Sequence, residues 1–352
     1  MDLGRSGDRH RGDRAGDRKG AQGPGGRSHL SGVRGYVLRK ILGAVGTLLF
    51  VLLFNFVLFR VMPGSPVDTI ARNQRLSPTE TQELIADFGL DQPVITQVPI
   101  YLWDTIRGNL GSSFTSGRPV TSVIAGRVWP TVILLLPATI LSVVIGIWAG
   151  IHAGWSRGTR RDVGTVGSSL FLYSIPEGWL GMVLLVVFGT MLGIFPLGGY
   201  VSSPPPEGAA YIADVMTHAF LPVLTLTLAY IGEYVLVMRS SMVEVAGEDY
   251  LQTARAKGLQ DRDVRRRHAV PNALLPIVTL VFYSFGYILG GTVVIEGIFN
   301  WPGLGVLTYQ AIDNQDFPVI QGVFLFSSVL VILFNLAADL SYGYIDPRVR
   351  EA

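Results

Sequence analysis

The stretch Val128–Ile151, VWPTVILLLPATILSVVIGIWAGI, runs for 24 residues without one Asp, Glu, Lys or Arg. A helix of roughly 20 apolar residues crosses the ~30 Å hydrocarbon layer of a bilayer. Working outward, Ile41–Phe59, Gly178–Tyr200, Asn272–Ile295 and Phe317–Ala338 are free of charge in the same way. Ala219–Met238 joins them with Glu233 as its single exception. A large soluble core would show polar stripes at helical spacing, and none runs through these blocks. Composition agrees: of 352 residues, 15% are charged, against about 25% in a soluble domain. The chain has no cysteine, which excludes disulfides and thiolate metal sites. A net charge of +2 calls for no nucleic-acid partner.

The placement of the charges sets an expected topology. Cytoplasmic loops are enriched in Lys and Arg. Arg34, Arg39 and Lys40 precede the first block. Arg157, Arg160 and Arg161 sit in the turn Gly154–Asp162, and Arg239, Arg255, Lys257, Arg262, Arg265, Arg266 and Arg267 in Arg239–Pro271. Arg348 and Arg350 close the chain, whereas Pro196–Thr217 and Glu296–Asp316 hold neither Lys nor Arg. Basic and bare segments therefore alternate, with both termini cytoplasmic. Val163–Tyr200 would be about 57 Å long if wholly helical, too long for one upright span. Ser174-Ile175-Pro176-Glu177-Gly178 interrupts it, so it reads as one bent crossing. The expectation is an all-α polytopic membrane protein of six spans: 37–62, 129–153, 163–195 (bent), 218–239, 272–295 and 317–343.

The tail 1–35 is rich in Gly, Arg and Asp and is expected to be disordered. The membrane pattern begins only at Tyr36, so a start near Val33 is an open alternative. The loop 63–128 is expected outside. There Ser77-Pro78-Thr79-Glu80 reads as a capping box, with Leu84, Ile85 and Phe88 on one face and Gly89 as terminator. Tyr101, Leu102 and Trp103 form an aromatic cluster suited to headgroup depth. This loop could dock a delivery protein or pack on the span ends.

The cytoplasmic segment 240–271 is the most informative. Val243, Gly247, Tyr250, Leu251 and Ala254 recur at helical spacing and give one apolar, small face. Gly258 can end that helix, and Asp261 can cap a second, Arg-rich one that stops at Pro271. Ala254, Ala256 and Gly258 are small enough for a partner's backbone to approach closely. The expected product is a helical hairpin along the membrane surface, able to pass a push from a soluble partner into the next span.

This segment resembles the coupling motif of ABC importer permeases: Glu-Ala-Ala, three residues, Gly, nine residues, Ile-x-Leu-Pro. Here it reads Gln252-Thr253-Ala254, three residues, Gly258, nine residues, His268-Ala269-Val270-Pro271. Gln252 and His268 depart from the pattern. The surrounding Gly247-Glu248-Asp249-Tyr250 and Thr253-Ala254-Arg255-Ala256-Lys257-Gly258-Leu259 are similar to the dipeptide, oligopeptide and nickel branch. Met62-Pro63-Gly64-Ser65-Pro66, Gly89-Leu90-Asp91-Gln92-Pro93, Gly108-Asn109-Leu110-Gly111, Phe299–Gly305, Tyr342-Gly343 and Asp346-Pro347-Arg348 extend the likeness from Tyr36 to Arg350.

The resemblance implies a type I importer permease in a bacterial plasma membrane. It implies a homologous second permease, two ATPase subunits that each receive a coupling helix, and an extracellular solute-binding protein. Glu248, Asp249, Tyr250, Ala254, Arg255, Ala256, Lys257, Gly258, His268 and Pro271 would carry the coupling. ATP and Mg would sit on the partner ATPases, with no cofactor on this chain. None of Lys19, Lys40 and Lys257 is followed by Ser or Thr, as a phosphate-binding loop would need. Dipeptides, oligopeptides, nickel complexes and sugars all stay open as cargo, with peptides favoured by the resemblance.

Charged groups within spans are costly and often functional. Glu233 is expected to face the pathway or to pair with Arg239. Glu296 and Trp301, after the fifth span, are candidates for the outer mouth, with Glu296 reaching a peptide ammonium. His152, Glu177, His218 and Asp339 suit interfacial roles, and Asn55 suits glue between helices. A secondary transporter would bury carboxylate or His relays across several spans. An intramembrane enzyme would need a paired nucleophile and base, or metal ligands, at membrane depth. Only Glu233 lies deep.

Overall fold

The computed structural model describes residues 29–61, 77, 79, 82, 93–288 and 293–345. Residues 1–28, most of the expected capping-box helix and Asp346-Pro347-Arg348 lie outside the described residues. Its helices are α1 (His29–Val61), α2 (Val94–Ile106), α3 (Val120–Trp155), α4 (Arg160–Ser174) and α5 (Glu177–Leu184, running on as π-helical Leu185–Met191). After these come α6 (Ala209–Ala246), α7 (Asp249–Ala256), α8 (Asp261–Asp263, running on as π-helical Val264–Ala269) and α9 (Val270–Ala273). The last four are α10 (Leu275–Ile288), α11 (Val293–Ile298), α12 (Leu304–Asp313) and α13 (Phe317–Ile345). Among the described residues the only β-type pairing is the bridge between Ser112 and Pro119. Helix dominates because hydrocarbon offers no partner for a free N–H or C=O, and a helix satisfies both within itself.

Gly35–Leu58, Val120–Trp155, Ala209–Ala246 and Phe317–Ser341 are each long and apolar enough to cross a membrane. Arg160–Ser174 and Glu177–Met191 qualify only as a pair, bent by 93°. The bend falls at Ile175-Pro176, where Pro176 stands as N-cap of α5 and cannot continue α4. Either arm alone, at 15 residues, is only about 22 Å. Among the described residues four helices are thus of spanning length, five if the bent pair is one crossing. The expected sixth, Asn272–Ile295, is divided here between α10 and α11, with 289–292 outside the described residues. At the start of the chain, α1 begins at His29, within the last residues of the stretch 1–35.

The long helices α3 and α6 form the spine. Gly146, Gly150 and Gly154 on α3 face Tyr234, Met238 and Met242 on α6, all at intervals of four. A Cβ at Gly150 would stand 2.6 Å from Met238 Cβ and 2.8 Å from the Val235 carbonyl. At Gly154 it would stand 2.6 Å from Met242 Cβ. Small residues at this spacing let membrane helices close backbone to backbone, where dispersion and hydrogen bonds rather than water drive association. Ser142 adds a hydrogen bond across the seam, its hydroxyl donating to the Thr227 carbonyl at 3.1 Å.

At one end of the spine, Leu134, Leu135 and Leu226 pack with Ile295, Phe299 and Trp301. At the other, Met238 and Met242 pack with Leu251, Val264, Ala269 and Ile277. On the flank, Asn55 is wholly buried and ties α1 to its neighbours, donating to Tyr101 Oη and the Gln321 carbonyl, both at 3.3 Å. Lys40 and Asp339 clasp α1 to α13 at 2.9 Å.

Candidate functional site

The site is the hairpin α7–α9 with the helix ends that hold it. Gly247 ends α6, and its neighbour Glu248, in extended conformation, turns the chain into α7. The face expected to run unbroken from Val243 to Ala254 is therefore divided between two helices. Leu251 and Ala254 are the anchors, at 0% and 6% exposure. Leu251 joins Met238, Met242 and Ile277, with Ile147, Ile151 and Trp155 packed against the same cluster.

Tyr250 does not share the buried face: it is 39% exposed. Residues one apart on a helix point about 100° apart, so Leu251 and Tyr250 cannot both face inward. Partial burial raises the Tyr250 hydroxyl above its ordinary value, a hydrogen bond with Asn272 opposes this, and Glu248 adds to it. Glu248, Asp249, Arg255, Ala256 and Lys257 are exposed along the outer side of α7. The hairpin thus has an apolar inner face sunk into the bundle and a polar outer face left open.

The turn after α7 is a Schellman motif. Gly258 N–H donates to the Arg255 carbonyl at 2.9 Å and Leu259 N–H to the Ala254 carbonyl at 3.4 Å. Gly258 has φ +82°, and nothing lies within 4 Å of where its Cβ would be. Glycine is needed there for its backbone, while the space around it is open.

Asp261 does not cap α8. Gln260 holds the N-cap position, and the Asp261 carboxylate instead accepts from Trp155 Nε1 at 2.7 Å. Arg255 lies 5.7 Å from the same indole ring and 3.8 Å from Asp261. Trp155, the last residue of α3, thereby pins the hairpin turn to the spine. Pro271 does not end the second helix either. The π-helical turn before it widens the backbone, which relieves the clash of the proline ring with the preceding turn, and α9 and α10 follow. His268 is half-buried on this turn and Pro271 is exposed.

The expected pairing of Glu233 with Arg239 is not made. Arg239 donates through Nε and Nη2 to both oxygens of Asp162, each at 3.0 Å. Asp162 is 3% exposed and also accepts from Gly158 N–H at 2.9 Å. This fork ties the start of α4 to α6 just above the hairpin. Sequence reading missed Asp162, for nothing local marks a partner 77 positions away. Glu233 is half-buried on α6 without an ion pair or hydrogen bond among the described residues. Glu177 accepts from Tyr230 Oη at 3.2 Å.

Glu296 and Trp301 prove to be interior groups, not mouth groups. Both are at 0% exposure. Trp301 donates its indole N–H to the Pro130 carbonyl at 2.9 Å and its backbone N–H to the Glu296 carbonyl at 2.7 Å. Glu296 accepts from Thr131 Oγ1 at 3.0 Å and from Val306 N–H at 2.9 Å. Its carboxylate therefore caps the first turn of α12 from a distance, and a side chain at Gly303 would collide with it. Among the described residues no group of His, Asp and Glu could hold a metal.

The described residues thus form a bundle of membrane-length helices that carries a half-sunk hairpin with its polar side outward. Residues 142–351 match the model of the binding-protein-dependent transport system inner membrane component, and residues 33–136 match its N-terminal companion. The chain belongs to this family of transport permeases. A probable peptide ABC transporter permease protein of Sinorhizobium fredii is 37% identical over 319 residues, covering 90% of this chain and 99% of that protein. The dipeptide transport system permease protein of Escherichia coli K12 is 36% identical over 333 residues, covering 90% and 98%. A putative peptide transport system permease protein of Brucella abortus is 36% identical over 315 residues, covering 89% and 98%.

Proposed function

We propose that this chain is one of two permease subunits of an ATP-driven peptide importer. In this reading α7 is the coupling helix that sits in a groove of a separate ATPase subunit. The observation that carries the reading is the two-faced hairpin. Leu251 and Ala254 anchor it to α3, α6 and α10, while Tyr250, Thr253, Ala256 and Lys257 stay open for a partner. ATP and Mg belong to the ATPases, and this chain contributes movement rather than hydrolysis. A homologous permease would complete the pathway, and an extracellular solute-binding protein would deliver the cargo.

The hairpin end carries Arg157, Arg160, Arg161 and the Arg-rich α8 turn, so it faces the cytoplasm of a bacterial cell, with both termini on that side. The opposite end, with Pro196–Thr217 and Glu296–Asp316 free of Lys and Arg, faces out. Peptides are the favoured cargo because three relatives that match nearly end to end carry peptide or dipeptide in their names. Glu233 is the remaining candidate for the pathway. The test is reconstitution into liposomes with and without the ATPase subunits. Uptake of a labelled dipeptide should require the ATPases, ATP and the binding protein. Uptake by the permeases alone would refute the reading.

A further inference from the structure

At the end away from the hairpin, a cleft of about 440 Å³ opens between the loop 113–118, the start of α3 and α12. Arg118 and Arg127 both line it, and neither forms an ion pair among the described residues, although Arg127 lies within electrostatic reach of the buried Glu296. Asp316 is the single carboxylate on its wall, and it is spent. It is 3% exposed, with one oxygen accepting from Ser113 Oγ at 2.6 Å and Thr115 N–H at 3.2 Å, and the other from Phe114 N–H at 3.0 Å. Gln310 on α12 and Asn314, the residue that caps its end, also line the cleft, the Asn314 amide donating to the Gln310 carbonyl at 2.8 Å.

The cleft is also built in advance. Ser113 N–H donates to the Arg118 carbonyl at 2.9 Å, Gly117 N–H to the Ser113 carbonyl at 2.8 Å, and Val120 N–H to the Gly111 carbonyl at 3.0 Å. The loop that carries Arg118 is thus closed on itself and tied to α3, so little ordering is left for binding to impose.

We propose that this cleft is a socket for a carboxylate, an Asp or Glu side chain of the solute-binding protein that docks at this end. The inference rests on the functional reading above and names one contact within it. Height along α3 selects a protein acid over a lipid phosphate. Arg127 is the first residue beyond the charge-free Val128–Ile151. Val120 stands about 10 Å further out at 1.5 Å per residue, and Arg118 precedes it. The headgroup layer is only about 5–8 Å thick on each side. Arg127 therefore sits at headgroup level and Arg118 in water, where a docked protein can reach both. A guanidinium grips a carboxylate through two parallel N–H···O bonds that an ammonium cannot make.

The assembled complex in nanodiscs, titrated with its peptide-loaded binding protein while ATP hydrolysis is followed, tests this. Arg118→Glu and Arg118→Glu/Arg127→Glu should raise the half-maximal concentration of binding protein at least about tenfold at low salt. Both should also flatten its salt dependence, and Arg118→Lys should fall between them and wild type. A Glu→Arg or Asp→Arg change on the binding protein's docking face should restore the Arg118→Glu complex, an outcome that a merely misfolded variant cannot give. Unchanged titrations in variants that co-purify with their ATPases would overturn the socket alone. A dependence on anionic lipid with no dependence on the binding protein's acids would overturn it in favour of a headgroup. A wild-type complex that the binding protein does not stimulate at all would overturn the functional reading and the socket with it.

Discussion

Replacing Gly150 with Leu should force apart the two helices on which the hairpin is mounted. Its Cβ alone would lie 2.6 Å from Met238 Cβ, where carbon contacts settle at about 3.5–4.0 Å. The helices must part by about 1 Å, or Met238 must leave its rotamer, before the remaining carbons of Leu are placed. Overpacking of this kind costs about 1–3 kcal/mol. Met238 is also a wall of the cluster that buries Leu251 and Val264, so the strain reaches α7 and α8 directly. Denaturant titration of the purified permease should show the loss in stability, and dipeptide uptake should fall more than ATP hydrolysis as the hairpin loosens. Gly164→Ala is the control. Gly164 is exposed on α4 with nothing within 4 Å of a Cβ, and Ala there should be neutral or gain up to about 1 kcal/mol. If Gly150→Leu unfolds and transports like wild type, the seam is not the close contact described and its link to the hairpin fails.

Other perturbations separate the remaining parts. Asp162→Asn leaves Arg239 without its fork. Because Arg239 keeps 29% of its side chain exposed, the loss should be about 1–3 kcal/mol rather than the full value of a buried pair, measured by a denaturation double-mutant cycle with Arg239→Gln. Glu296→Gln leaves one acceptor oxygen where two now accept, from Thr131 Oγ1 and Val306 N–H, and should cost about 1–3 kcal/mol in the same assay. At Gly258, Asn should keep most of the uptake. Val, which resists positive φ at about 1–2 kcal/mol, should lower uptake per ATP hydrolysed without impairing insertion.

The charge-free blocks made the long helices legible, because crossing length and lack of charge are both local. The hairpin was legible for the same reason: Gly258 and the Leu251/Ala254 spacing act within a few residues. What escaped was set by distance in sequence. Asp162 sits in a basic turn and looks like any solvated acid until Arg239 arrives from another helix. Gly146, Gly150 and Gly154 stand at a regular interval of four that could have been noticed, but only the facing Tyr234, Met238 and Met242 give the interval meaning. Glu296 looks like a mouth residue because it ends an apolar block. Its burial depends on Thr131 and on the first turn of α12, and neither can be placed from local pattern. Tyr250 was assigned inward by a face that the break at Gly247 divides.

Because the chain has no cysteine of its own, Ala256→Cys places one reactive thiol on the exposed side of α7. Paired with single cysteines along the groove of the ATPase subunit, it tests whether the hairpin is seated there. The account predicts a crosslink in the assembled complex whose yield changes when ATP is bound. A hairpin that crosslinks to no ATPase position in a complex competent for uptake would contradict it.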